Sequence, residues 1–590
     1  MNRISIKVTG AQGQGVNSVG EICGMGLKRS GYCVFGYREY MSLIKGGHSS
    51  YQLDISDERI ESSESRSDVV LHFNHHGLKK NLRDVKDGGI ILHQTPMWEF
   101  PEEDEKWLTD HNVKALYIPM EDIIKELDVP NILGNIYLTS FVWALLNQSV
   151  DDLKNLVREQ FAHKGENIIN MNFKCIDAAI EYFAAQSDLN LVSLPKPDPK
   201  WKDALYITGS AAQGMGVVHA GCRVFVSYPM TPASPLLTYI SKTQNQTGIV
   251  VKQAEDEITA AQMMSGSMLM GARAMTATSG GGFDLMTETV SMNALIENPA
   301  VFALAQRPGP STGLPTWTAQ GDLLLSVGSA HGEFPRLVIG LSNSQDAFDL
   351  MPEAFNFAEE FQIPVIVLTD KHIAEGLYTQ QQYDQNSAEL RRGKLITDTS
   401  KLKVVQSTDR YDPSVKDGVS SRWLPGTEAA VFASQGDEHD AKGTVNESSE
   451  NAIEQMEKRM RKAQSLKDSL PEPVLFNSDG VISKDEKFDL LIVGWGSTKS
   501  AVLDVLKSDD LKDKSIGYLH WQYLWPIKTD RFEKLSSSAK KVVLVEQNYQ
   551  GQLGMLIKME CGKDIDHKIL KYDGRPFFSD ELYSRILPLI

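Results

Sequence analysis

The chain has 590 residues, 41% of them hydrophobic and 23% charged, with a formal net charge of −17. One core rarely organises so long a chain, so roughly three or four domains are expected. The acidity argues against a nucleic-acid binder, whose phosphate contacts need basic patches.

The start, Met1-Asn2-Arg3-Ile4-Ser5-Ile6-Lys7-Val8, reads as a polar lead into an alternating strand and not as a signal peptide. No apolar run reaches the ~18 residues of a membrane span, so no membrane partner and a cytoplasmic location are expected. The five cysteines, Cys23, Cys33, Cys175, Cys222 and Cys561, form no CxxC pair. That excludes a disulfide framework, a zinc ribbon and a clustered iron–sulfur site, so any such centre belongs on another chain and no metal ligands are assigned here.

After the Ile4–Val8 strand comes Gly10-Ala11-Gln12-Gly13-Gln14-Gly15-Val16 and a helical stretch. The glycine spacing departs from the G-x-G-x-x-G dinucleotide fingerprint, so a nucleotide-like part of a larger ligand or a packing role is expected. His48 has no partner at metal-ligand spacing and reads as a structural or polar-contact residue. Strands at Val69–Phe73 and Gly89–His93, and a helix near Cys175–Gln186, complete an α/β domain over residues 1–190. Pro195, Pro197 and Pro199 alternate along residues 191–200, which favours an extended linker.

Residues 201–378 carry strand-like runs at Arg223–Ser227, Ala274–Thr278, Ala300–Ala305 and Pro364–Thr369, separated by helical patterns. They predict an α/β domain with a mainly parallel sheet. Residues 379–485 are polar and irregular apart from a charged helix near Glu454–Leu466; connections this long are usually functional or disordered. Residues 486–590 restart with a buried strand into a glycine turn, Phe488 to Ser497, and a second strand at Lys541–Glu546. The fold class is therefore α/β, with several doubly wound domains.

Four segments of the middle domain carry chemistry. Ser227-Tyr228-Pro229-Met230-Thr231-Pro232 ends a strand, where open α/β sheets bind ligands; prolines stiffen the loop around Thr231, although a plain turn uses the same residues. Gln253-Ala254-Glu255-Asp256-Glu257-Ile258 opens a small-residue helix, and its acids serve either the helix dipole or a buried carboxylate. Thr278-Ser279-Gly280-Gly281-Gly282 permits positive φ and close backbone approach, as a tight turn or as an anion-binding loop. Arg307, in the proline-rich loop to Thr316, is either a surface residue or a bidentate clamp for a carboxylate.

These runs, with His331-Gly332-Glu333-Phe334-Pro335-Arg336, Asp417-Gly418-Val419-Ser420, Gly436-Asp437-Glu438-His439-Asp440 and Tyr572-Asp573-Gly574-Arg575-Pro576-Phe577, resemble in order and spacing the alpha subunits of 2-oxoacid:ferredoxin oxidoreductases. Upstream, the Gly10–Val16 loop and Lys45-Gly46-Gly47-His48-Ser49-Ser50 resemble the family's gamma domain. The resemblance implies a pyrimidine-binding-type domain over 201–378, a connecting region, and a transketolase C-terminal-like domain over 486–590. It implies oxidative decarboxylation of a 2-oxo acid, 2-oxoglutarate above pyruvate or branched-chain acids, to its acyl-CoA with electrons to ferredoxin. A non-oxidative thiamine enzyme is the alternative class.

Within that resemblance Glu257 activates the aminopyrimidine of thiamine diphosphate, Thr231 contacts substrate or cofactor, and Arg307 binds the substrate carboxylate. Tyr228, Pro229, Glu255, Ser279, Gly280 and Gly281 line the cofactor. The family's small residues nine and fourteen positions after the glutamate fall on Gly266 and Gly271 when counted from Glu257. From Glu255 they would fall on Met264 and Leu269, which makes Glu255 the fallback. Met230 replaces the family's usual isoleucine. Neither Gly321-Asp322-Leu323 nor Gly436-Asp437-Glu438 completes a Gly-Asp-Gly motif, so Mg²⁺, the diphosphate and a [4Fe–4S] cluster are expected on a beta subunit. Coenzyme A is the remaining expected ligand, its nucleotide-like part and plain packing being the two readings of the gamma-type glycine loop.

Overall fold

A computed structural model describes residues 2–43, 46–186, 189 and 191–590. Met1 of the expected N-terminal lead, Lys45 of the gamma-like motif, and Asn190 at the expected domain edge lie outside the described residues. The chain forms two compact units, Met1–Ile207 with Gly376–Gln382 and Phe577–Ser584, and Thr208–Glu375 with Tyr383–Pro576 and Arg585–Ile590.

The first unit is built on an eight-stranded sheet. Arg3–Ala11, Ser67–His72, Val85–His93 and Lys114–Tyr117 run parallel, because each returns through a helix or crossover. On the other side of Arg3–Ala11, His48–Ser56 and Cys33–Tyr40 pair antiparallel. The helix Val16–Ser30 follows the glycine turn, in which Gly13 and Gly15 take φ of 96° and 99°. A Cβ on Gly15 would collide with the Asn135 side chain, so the close approach of another helix also requires glycine there.

The proline-rich segment does not form a free spacer. Val192 N–H donates to the Leu145 carbonyl (2.9 Å) and Asp198 N–H to the Gly31 carbonyl (2.8 Å), and Trp201 is buried with Cys33 and Phe35. Residues 376–378 also leave the expected middle domain, because Leu377–Gln380 pairs with Cys33–Tyr40 and Tyr378 meets Phe35 edge-on at 5.2 Å. Phe577–Ser584 joins this unit too; Ser579 N–H donates to the Ser63 carbonyl at 2.9 Å.

The second unit contains two sheets. The larger runs, in spatial order, Tyr523–Trp525, Leu337–Gly340, Pro364–Asp370, Ala300–Gln306, Ala274–Thr278, Val224–Ser227 and Val250–Gln253. All pair parallel except Tyr523–Trp525, which pairs antiparallel to Leu337–Gly340. The other is centred on Leu490–Trp495, with Ile516–Trp521 and Lys541–Glu546 as parallel neighbours. Phe302, Ile366, Leu491, Val493, Trp495 and Leu524 belong to one continuous core. Segments 201–378, 379–485 and 486–590 therefore do not separate into independent bodies; shared apolar burial joins most of them into one.

The polar connection is ordered by buried charge. Glu359 accepts from Arg273 (2.9 Å) and pairs with Arg392 and Arg422, while Glu297 pairs with Lys458 and, at 2.8 Å, Lys462 of the Ser449–Ser469 helix. These acids and bases hold a stretch with little regular structure; removing one partner would strand a buried charge at a cost of about 3–5 kcal/mol.

Candidate active site

Four neighbouring strands of the larger sheet end at one edge: Val250–Gln253, Val224–Ser227, Ala274–Thr278 and Ala300–Gln306. Chain order reverses here, since the chain steps from Val224–Ser227 outward to Val250–Gln253 and then returns past it to Ala274–Thr278. Such switch points open a crevice at the carboxyl ends of the strands. Each of the four segments chosen from the sequence follows one of these strands, so distant positions converge on one edge.

The acidic cluster divides its labour. Asp256 caps the Glu257–Leu269 helix, accepting from Thr259 N–H at 2.7 Å. Glu255 is exposed. Glu257, the first helical residue, is buried at 6% exposure and lies against Gly282, where a Cβ would come within 2.7 Å of its Oε1 and collide with Thr278 Oγ1. The dipole-complementing role therefore falls to Asp256, and the buried carboxylate is Glu257.

The three glycines do not take the positive φ that their sequence suggests. Gly280, Gly281 and Gly282 form the first turn of the Gly280–Leu295 helix. Their missing side chains serve close approach instead, since a Cβ on Gly280 would sit 3.1 Å from the Asp322 carboxylate and one on Gly281 3.7 Å from Met230 Cε. Ser279 occupies the N-cap position but makes no side-chain cap; its Oγ is buried without a partner. A capping serine ordinarily accepts from the second or third helical N–H, and this one does not.

Arg307 is 8% exposed and its Nη1 donates to the Thr231 carbonyl at 2.6 Å. Burial lowers its pKa, and the Asp322 carboxylate opposes that shift. The arginine and the Tyr228–Pro232 loop are thereby joined. Tyr228 and Pro229 are exposed at the rim, Thr231 is half-buried, and Met230 Sδ lies 3.7 Å from Thr278 Oγ1. The loop after Arg307 is braced from the other sheet: Gln320 Nε2 donates to the Trp495 carbonyl (2.7 Å), and Gln547 N–H donates to Gln320 Oε1 (2.8 Å). Arg575 stacks over Trp317 at 3.7 Å, which gives the Tyr572–Phe577 motif a supporting role at this loop.

The two small residues counted from Glu257 differ. A Cβ on Gly266 would meet nothing within 4 Å among the described residues, so no neighbour here requires its small size. Gly271 does need glycine, but as the residue ending the helix at φ 88°, close to Leu424. One residue escaped the sequence reading. Asp322 stands beside the glycine turn, and burial raises its carboxyl pKa to about 6, with Asp284 adding to the rise and Arg307 opposing it. Its only sequence signal was an incomplete Gly-Asp-Gly.

His331, Gly332 and Glu333 line a separate cavity of about 490 Å³ with Glu288, Glu438 and Arg459. None of the residues expected in the active site lines it. Among the described residues, no group of three or more His, Cys, Asp or Glu side chains is placed to hold a metal ion, and no helix is long and apolar enough to cross a membrane.

The fold is that of a thiamine-diphosphate-binding subunit. Residues 215–465 match the family described as pyruvate flavodoxin/ferredoxin oxidoreductase, thiamine diP-bdg, and residues 5–182 match pyruvate ferredoxin/flavodoxin oxidoreductase. The 2-oxoacid:ferredoxin oxidoreductase subunit alpha of Sulfolobus sp is 32% identical, covering 100% of this chain and 97% of that protein. The 2-oxoglutarate oxidoreductase subunit KorA of Mycobacterium tuberculosis is 27% identical over 91% of this chain and 83% of its own length. The solved 2-oxoglutarate:ferredoxin oxidoreductase from Magnetococcus marinus, with 2-oxoglutarate, coenzyme A and succinyl-CoA bound, superposes with a TM-score of 0.91 at 28% identity over 100% of both chains. The chain belongs to the family of 2-oxoacid:ferredoxin oxidoreductase alpha subunits, and is one subunit of that enzyme complex.

Proposed function

We propose that this subunit provides the aminopyrimidine-facing and substrate-facing side of a thiamine-diphosphate site completed by a beta subunit, and that the complex converts 2-oxoglutarate to succinyl-CoA with ferredoxin as electron acceptor. The observation that carries this reading is Glu257, a carboxylate buried against a glycine at the switch point of a parallel sheet. When bound, thiamine diphosphate supplies a nucleophilic carbon that adds to the keto carbon and retains the electron pair left by CO2.

The residues present fit that group. Glu257 would hydrogen-bond the pyrimidine ring nitrogen, and a carboxylate there favours the tautomer that can accept a proton. Ser279 Oγ, buried and unpartnered, and the first-turn amides of Gly280 and Gly281 offer polar contacts at a helix N-terminus. Tyr228, Pro229 and Thr231 form the loop that flanks the bound groups. Arg307 offers a planar fork to the substrate carboxylate. Glu255, exposed on the preceding loop, would at most touch the cofactor's edge.

A partner is supported by the rim. Tyr228, Ile258, Met263 and Leu285 are exposed apolar residues on the elements that form the crevice, and such patches mark interaction surfaces. We assign Mg²⁺, the diphosphate contacts and the [4Fe–4S] cluster to the beta subunit, because the described residues include no suitable acidic group and the four cysteines Cys23, Cys33, Cys175 and Cys222 are buried singly. We assign the first compact unit to the gamma-type domain, with its glycine turn as a candidate contact for coenzyme A, and a cytoplasmic location to the complex. Pyruvate is the second substrate reading, because both matching family descriptions name it.

Reconstitution with the beta subunit tests the reading. The complex should reduce a low-potential dye with 2-oxoglutarate and coenzyme A, the isolated chain should not, and pyruvate should serve as the weaker substrate. Robust activity of the chain alone would overturn the shared site.

A further inference from the structure

Asp322 has no role in the chemistry above, yet it stands inside the site. Its Oδ2 is buried without a hydrogen-bond partner among the described residues. Its backbone is fixed, because Asp322 N–H donates to the side-chain oxygen of Gln306 at 3.0 Å, and Gln306 immediately precedes Arg307. Gly280 is needed for the carboxyl to reach the first turn of its helix, since a Cβ there would lie 3.1 Å from an Asp322 oxygen. Two charged groups act on it electrostatically, Arg307 at the end of one strand, which lowers its pKa, and Asp284 on the glycine helix, which raises it. Glu257 reaches the same turn from its other side through Gly282. The segment from the second sheet contributes neutral amides: Gln552 Nε2 donates to the Gly321 carbonyl (2.9 Å) and its Oε1 accepts from Leu324 N–H (3.0 Å).

We propose that Asp322 is a positioning residue for Arg307: ionised, it attracts the guanidinium in the empty site; protonated, it yields the guanidinium to the substrate carboxylate, so that substrate binding takes up one proton. This deepens, and rests on, the reading that Arg307 binds the substrate carboxylate. Two carboxylates cannot both stay charged cheaply around one guanidinium in a buried crevice, because like charges favour protonation of one of them. Asp322 is already poised near neutrality by burial, with a carboxyl pKa of about 6, so a second anion raises it further. The proton comes from solvent to an Asp322 carboxylate oxygen and returns when the substrate or its product leaves. An orphaned oxygen, which would otherwise be an unexplained desolvation cost, is the atom that receives it.

The test measures KM and kcat for 2-oxoglutarate in the reconstituted complex from about pH 6 to about pH 9. For the native complex KM should rise with pH above the free-enzyme pKa, with a limiting slope of about tenfold per pH unit, because protonated Asp322 binds the anion better. Asp322→Asn, neutral at every pH, should flatten that rise. Asp322→Glu keeps a titrating carboxyl and should retain a slope with a shifted midpoint. A flat native profile, or Asp322→Asn with the native slope, overturns the proposal; if Asp322→Asn does not assemble, the native profile and Asp322→Glu decide it. Arg307→Ala separates this from the underlying reading. If Arg307→Ala leaves KM unchanged, the carboxylate clamp itself fails. If it raises KM while Asp322→Asn keeps the native slope, only the role of Asp322 fails.

Discussion

Two of the molecule's glycine turns follow a strand, open a helix and solve different physical problems. In the first unit Gly13 and Gly15 have φ of 96° and 99°, a backbone that L side chains rarely adopt. In the second unit Gly280, Gly281 and Gly282 are ordinary helical residues, and what matters is the volume their side chains would occupy beside Glu257, Asp322 and Met230. The first turn spends glycine on conformation, and the second uses it to let carboxylates approach a helix N-terminus. A glycine-rich string does not distinguish these cases, because both are written in the same letter.

Substitution should separate them, and the largest effect belongs to the carboxylate that the second turn accommodates. Glu257→Gln should lower kcat of the reconstituted complex by about 100- to 10,000-fold, the range for loss of a general acid–base group; an unchanged rate, measured by dye reduction, would move the role to Glu255. Gly282→Ala should follow at roughly 100-fold or more, because the new Cβ displaces Glu257 and a small misplacement at a reacting centre is that costly. Arg307→Ala should raise KM for the 2-oxo acid by about 10- to 100-fold, the equivalent of one charge-assisted interaction of roughly 1.5–3 kcal/mol. Steady-state kinetics with kcat and KM separated would check both.

The smaller effects belong to the first turn. Gly15→Ala should destabilise that unit by about 1–3 kcal/mol through forced backbone strain, with further strain from the collision at Asn135. Gly13→Ala meets nothing within 4 Å among the described residues, so the backbone cost is what is expected, near 1 kcal/mol. Thermal unfolding checks these two. Should Gly282→Ala behave like Gly13→Ala, with a small stability loss and full activity, the distinction between the two turns would collapse.

Three of the four strands that bear the site were legible because buried parallel strands are short continuous apolar runs; Val250–Gln253, an edge strand that is mostly exposed, was not. Ala274–Thr278 and Lys541–Glu546 are found with the ends their sequences suggest. Cys33–Tyr40 and His48–Ser56 had no such reading; they are antiparallel strands of a mixed sheet whose place depends on each other and on Arg3–Ala11. Leu377–Gln380 was hidden for the same reason, since its partner lies more than 300 residues away in the chain. The proline run misled because alternating prolines describe local extension and say nothing of what the extended segment lies against.

By itself the sequence determined the α/β class, the family, and the three strand ends that precede Tyr228, Ser279 and Arg307, because local periodicity and residue type are short-range properties; the strand before Glu257 was not among them. The tertiary structure alone decided that Asp256 caps while Glu257 is buried, that the glycines are helical, and that Asp322 lies within the electrostatic reach of Arg307. Those choices depend on which atoms meet across the sheet edge and on how much water is left around each charge, and both are set only when distant segments come together.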